Sequence, residues 1–187
     1  MNVIAYSKIS RAALKAVFFS CFLVPALFWL SGCQTAPPRG AGSFPEPGAD
    51  WTTLVGQLRY VTPERAVIGE AVVSRLGQEH FQLDFLAGPG VPLMRLREWG
   101  MRAEAEGLFA RGYWSGSATR AGRLASWTAL REVFSSVEQV GKAPVYRSVD
   151  QSPISWRAEV EWNGRRLQRV AVEFPSTKER FIFVFSH

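Results

Sequence analysis

The sequence is poor in the side chains that build most catalytic and metal sites. It holds two cysteines and two histidines in 187 residues, and neither pair has the local spacing of a ligand set. Cys21 lies inside an apolar run, and Cys33 closes the tetrapeptide Leu30-Ser31-Gly32-Cys33. Beyond residue 33 there is therefore no thiol for a disulfide, a thiolate zinc site or a cysteine nucleophile. His80 and His187 are distant in the chain, so a metal would have to recruit scattered carboxylates, and none is expected. Serine chemistry lacks support too. Ser115 stands in Tyr113-Trp114-Ser115-Gly116, without the Gly-x-Ser-x-Gly elbow and without a histidine or paired carboxylate beside it. The reading is a protein that is not an enzyme and has no cofactor.

What is present first is an export signal. Lys8, Arg11 and Lys15 precede an apolar run from Ala16 to Leu30, broken only by Ser20 and Pro25, and no acidic residue occurs before Cys33. That layout belongs to a cleaved signal and is short for a spanning helix. Small residues at Ser31 and Gly32 allow an extended backbone to enter the lipoprotein signal peptidase, with cleavage between Gly32 and Cys33. The Cys33 thiol is then the group that carries the diacylglyceryl. A single chain anchors only marginally, at roughly 0.8 kcal/mol per buried methylene, so a diacylglycerol plus an N-acyl chain makes attachment to membrane lipid essentially permanent. Gln34 in place of Asp at the following position implies the outer membrane, with the protein facing the periplasm. A retained anchor with Cys33 as a plain thiol is the alternative.

Three parts follow: a signal peptide over 1–32, the acylated Cys33 with a flexible linker over 33–50, and a folded domain over 51–187. The linker is marked by Pro37, Pro38, Gly40, Gly42, Pro45, Pro47 and Gly48. The formal charge of +6 falls to +3 once Lys8, Arg11 and Lys15 leave. The remaining basic residues, nearly all arginine, are interleaved with acids, which describes solvated strand faces and not a nucleic-acid surface.

Within the domain the dominant period is two. Leu54 to Tyr60 and Arg65 to Arg75 read as strands around Thr62-Pro63-Glu64, with Gly69 permitting a bend or bulge. Phe81, Leu83 and Phe85 alternate with His80, Gln82 and Asp84. Leu93 to Trp99 and Met101 to Phe109 are two more strands, the latter with Met101, Ala103, Ala105 and Gly107 on the inner side. Small residues there leave room for something bulky. Between Gly122 and Gly141 the period changes, and Leu124, Trp127, Leu130, Arg131, Phe134 and Val137 form one helical stripe. Trp156, Ala158, Val160 and Trp162 then alternate with charges up to Asn163-Gly164, a hairpin signal predicting Trp162 opposite Arg165 and Val160 opposite Leu167. The last strand, Phe181 to Phe185, is apolar on both faces and wants cover on both sides, or a hydrophobic ligand on one. About eight antiparallel strands and one helix predict a mainly β (α+β) fold, a curved sheet forming an unclosed half-barrel with the helix across its concave face.

The lipobox and linker, the tryptophan-led first strand (Trp51 to Leu58), the run of five strands, the helical insertion and the closing meander with Gly164-Arg165 after its turn resemble the LolA/LolB lipoprotein-localisation superfamily, and LolB more than LolA. The resemblance implies a hydrophobic cavity for acyl chains, lined here by Phe81, Leu83, Phe85, Trp127, Phe134, Phe181 and Phe183. It implies reception of lipoproteins from a periplasmic carrier and their insertion into the outer membrane, by a monomer. It also implies a membrane-contacting apolar residue on the loop after the third strand, for which Val91 is the candidate. A sheet arginine that holds the helix is implied as well, with Arg95 and Arg97 both open. The alternative is a non-catalytic envelope protein, structural or partner-binding, without lipid cargo.

Overall fold

The computed structural model describes residues 44–88, 90–140, 145–147 and 154–186. The signal segment, Gly32, Cys33 and the linker as far as Ser43 lie outside them, as do Gly141 and His187. Among the described residues, ten antiparallel strands form one sheet. They are β1 (Thr52–Val61), β2 (Ala66–Leu76), β3 (His80–Ala87), β4 (Val91–Trp99), β5 (Arg102–Gly107), β6 (Gly112–Ser117), β7 (Val145–Arg147), β8 (Trp156–Asn163), β9 (Arg166–Phe174) and β10 (Glu179–Ser186). Between β6 and β7 come two 3-10 turns, Ala118–Arg120 and Gly122–Leu124, and the helices α1 (Ala125–Thr128) and α2 (Leu130–Val140). The order across the sheet is β6-β5-β4-β3-β2-β1-β10-β9-β8-β7. The two outermost strands do not pair with each other, so the barrel is unclosed, as the sequence predicts.

Alternation decides which side chains meet the helices. Leu58 and Tyr60 pair with Phe183 and Phe181 on one side and with Gly69 and Val67 on the other. Phe81, Leu83 and Phe85 pair with Glu98, Leu96 and Met94. These positions share one face, and the second 3-10 turn, α1 and α2 pack on it through Leu124, Trp127, Leu130, Val133, Phe134 and Val137, all buried. The predicted stripe is this packing face except that Val133 joins it and Arg131 lies at its rim, 26% exposed. Curvature has identifiable causes: a Cβ on Gly56 would come 2.1 Å from the carbonyl oxygen of Val184, and one on Gly69 would come 2.1 Å from that of Leu86. Both glycines permit a backbone approach closed to any other residue. Neither ladder of β2 has a register shift at Gly69, so the bulge allowed for there is absent; the shift in this region, between Phe85 and Leu86, belongs to the β3–β4 pairing.

Several expectations are corrected. The strand β6, rich in Gly and Ser, is not among the strands expected from the sequence, yet Trp114 pairs with Ala105 and Gly116 with Ala103. The bulky group for which Ala103 and Ala105 leave room is thus Trp114, whose ring lies against Gly116. Met101 does not face inward: it sits in the β4–β5 turn and is 72% exposed. The β8–β9 register is shifted from the prediction, with Asn163 opposite Arg166, Trp162 opposite Leu167 and Val160 opposite Val170. The turn centres on Gly164, at φ 62°, and Arg165, and a register shift follows at Glu161/Trp162. The outer side of β10 is only partly covered, because Val184 is 47% exposed. Phe44 is buried and Arg102 lies 5.5 Å from its ring centroid, while Glu46 pairs with Arg97. Residues 44–50, read as linker, therefore run along the outer faces of β4 and β5.

Candidate functional site

The seven side chains predicted to line a lipid site all lie between the helices and the sheet, and none is more than 2% exposed. Their neighbours divide the space into two ends. At one end Trp127 is the hub, with ring centroids 4.8 Å from Tyr60, 4.7 Å from Phe181, 5.7 Å from Phe109 and 6.3 Å from Phe85. Edge-on and stacked rings at such separations contribute beyond the area they bury. The polar handle here is the Tyr60 hydroxyl, which donates to the Glu179 carboxylate. Burial, with Glu179 beside it, raises the Tyr60 pKa well above its ordinary value.

At the other end Phe134 stacks on Phe81 at 6.0 Å and meets Phe183 edge-on at 5.1 Å. Charged groups flank this aromatic pair. Arg75, Phe81 and Glu98 are successive cross-strand partners on β2, β3 and β4, so one buried row carries a cation, a ring and an acid. Arg75 is 5% exposed and donates from Nη1 to the carbonyl oxygen of Phe134 at 3.2 Å. Its guanidinium also lies 6.0 Å from the Phe134 ring centroid. Glu98, with a fully buried side chain, has Oε2 3.1 Å from Nε of Arg131 on α2. Neither Glu98 oxygen accepts a well-aligned hydrogen bond among the described residues. Burial pushes its pKa up to about 8, while Arg131 pulls the other way.

A sheet arginine that bonds to the helix is Arg75. The expected candidates point elsewhere: Arg95 donates to Asp84 at 2.6 Å and to Glu106 at 3.1 Å, and Arg97 pairs with Glu46 at 3.4 Å. The Asp84 and Glu106 carboxylates hold the Arg95 pKa above its usual value. Val91, at the start of β4, is 56% exposed. Leu108, in the β5–β6 turn, is 63% exposed, and the Phe109 amide next to it donates to the Leu93 carbonyl at 2.9 Å. Val91 is thus the first residue of β4 and not a loop residue as expected, and it shares one end of the sheet with Leu108. Ser115 pairs with Glu104 across β5 and β6 and is exposed. Among the described residues, no group of three or more His, Cys, Asp or Glu side chains is placed to hold a metal.

No family model matches the sequence, and no curated protein matches it. Among solved structures, the chain is similar to a LolA superfamily protein from Nitrosomonas europaea. The two share 10% identity over 74% of this chain and 84% of that one, with a TM-score of 0.40.

Glu98, Arg75, Tyr60 and Phe109 are functional candidates that strand and helix patterning alone passes over. A signal exists for two of them. Arg75 follows Ala71 and Val73, and Glu98 follows Met94 and Leu96, at positions whose parity is otherwise apolar. Arg131 interrupts the helical stripe in the same way.

Proposed function

We propose that this protein is a lipid-handling lipoprotein that holds alkyl chains between the sheet and the helical segment, without covalent chemistry. The observation that carries the reading is the arrangement at the helix–sheet interface. A face of aromatic and aliphatic side chains is covered by a short helical segment, and the polar contacts of α2 with the sheet include those of Arg75 and Glu98. Apolar sites of this kind need few polar groups, and those few fix orientation. In the form described the seven side chains touch one another, so an incoming chain exchanges ring contacts for its own, with the segment lifting from the sheet.

Attachment through Cys33, delivery to the outer membrane, and a LolB-like reception and insertion of lipoproteins complete the proposal, with Val91 and Leu108 meeting the bilayer. The supporting features are the lipobox, Gln34 and these two exposed residues. A second reading, partner binding without lipid cargo, is favoured by Val55, Ile68 and Val184, which are 52%, 61% and 47% exposed on the outer face of β1, β2 and β10.

Residues 42–187 form one compact unit, so the chain from Gln34 onward contains the whole of it. Displacement of a fluorescent fatty acid from it, with native mass spectrometry of the purified material, is expected to reveal a bound alkyl chain. Absence of both signals overturns the proposal in favour of partner binding.

A further inference from the structure

We propose that Arg131 is an anion site, occupied in this structure by Glu98 and released to the negatively charged headgroup of an amphiphile whose alkyl chain enters beneath α2. The inference rests on the alkyl-binding reading and adds to it the class of headgroup and the residues that recognise it.

Geometry carries it. The pair is asymmetric: the Glu98 side chain is wholly buried, whereas that of Arg131 is 26% exposed. The cation is the member that an arriving headgroup reaches, and the acid is the internal one. Glu98 is also weakly held. Its Oε2 has the 3.1 Å contact with Arg131, and its Oε1 has no hydrogen-bond partner among the described residues. A buried carboxylate kept as a permanent anion collects several donors on both oxygens. This one does not, and it accepts a proton at a pKa of about 8.

Position supplies the second argument. Phe134 lies three residues after Arg131, on the same side of α2, and stacks on Phe81, the cross-strand partner of Glu98. An alkyl chain lying along Phe81, Phe134 and Phe183 ends at Arg131. The charges around Glu98 suit an anion. Arg131 faces it from α2, and Arg75 lies two strands away on the same row, while its neighbours Phe81 on β3 and Ala103 on β5 carry none. With Glu98 protonated, Arg131 faces a neutral acid, while Arg75, bonded to the Phe134 carbonyl, stays in place farther along the row. The exchange balances simply: one solvent proton goes to the Glu98 carboxylate, and the headgroup replaces that carboxylate on Arg131.

The test uses the chain from Gln34 onward with dodecanesulfonate, whose charge does not change with pH, alongside dodecanol and ethanesulfonate, all read by isothermal titration calorimetry. Above about pH 8, dodecanesulfonate affinity is expected to fall by up to about tenfold per pH unit, with no such trend for dodecanol. Glu98→Gln flattens the pH profile. Arg131→Gln removes the preference for the sulfonate over the alcohol, and Arg131→Lys retains part of it. Circular dichroism and a thermal melt establish that each variant is folded. If neither dodecyl compound binds, the alkyl-binding reading fails. If both bind with the same pH profile in wild type and Glu98→Gln, only the headgroup assignment fails. Ethanesulfonate binding as tightly as dodecanesulfonate also overturns it, because the site would then be a plain anion site.

Discussion

The two ends of the helix–sheet interface are packed by different means. Around Trp127 the contacts are mostly rings on rings, with the Tyr60–Glu179 bond and Arg65, 5.3 Å from the Phe109 ring centroid, at the margin. Around Phe134 a similar aromatic contact is flanked by Arg75 and by the Glu98–Arg131 pair. Apolar contact is non-directional and contributes in proportion to area. Buried polar contacts contribute little net stability when intact and cost a great deal when halved. The Trp127 end therefore supplies adhesion, and the Phe134 end supplies a latch that is sensitive to charge.

The sharpest way to break this contrast is Trp127→Ala. Its removal is expected to destabilise the fold by about 3–5 kcal/mol, through lost transfer energy and the cavity left behind, as measured by urea unfolding. The effect should be nearly the same at acid and alkaline pH. A strong pH dependence there would erase the distinction between the ends.

Glu98 should behave in the opposite manner. Its folded pKa is raised to about 8, so between its unfolded value and that pH the folded state binds more protons than the unfolded one. Stability then falls as pH rises through this window and levels off above it. Glu98→Gln is expected to remove that slope and to stabilise the fold at about pH 9 by up to a few kcal/mol, read from unfolding curves across pH. Equal slopes in wild type and variant would mean that the acid is not a strained group.

Arg75→Met keeps much of the aliphatic stem and removes the donor to Phe134. A loss of about 1–3 kcal/mol is expected, together with faster hydrogen exchange in α2 than in the Trp127 segment. If exchange rises equally in both, the arginine is not a local latch. The smallest effect belongs to Arg95→Ala on the outer face. Its ion pairs with Asp84 and Glu106 are partly exposed, and removing them should cost under about 1 kcal/mol, with no change in α2 exchange.

Patterning made much of this legible. Strict alternation in Phe81 to Phe85 places two rings and one leucine inside, and the stripe from Leu124 to Val137 is the helical face that covers them. What patterning hides is informative. Strand β6 escapes because glycine and serine carry no alternation, and only its pairing with the small residues of β5 reveals it. The β8–β9 register escapes because Asn-Gly marks a turn without saying which two residues occupy its corners. The latch escapes for a third reason. Arg75, Glu98 and Arg131 each look like a single lapse in an apolar pattern, and convergence of three lapses on one spot is a property of the sheet order, not of any stretch of sequence.

That order has a consequence for how the chain is assembled. Strands β1 to β6 form one meander and β7 to β10 another, each linked between neighbours in sequence, and the pairing of β1 with β10 joins them. Closing that seam requires residues more than a hundred positions apart to meet, which makes it the slow, topologically costly step. Until β10 arrives, the hydrogen-bonding edge of β1 stays open beside an uncovered greasy surface, the condition under which nascent chains misassociate. The middle of the finished sheet is thus its last part to form, and a newly synthesised chain is most in need of protection until its final strand has docked.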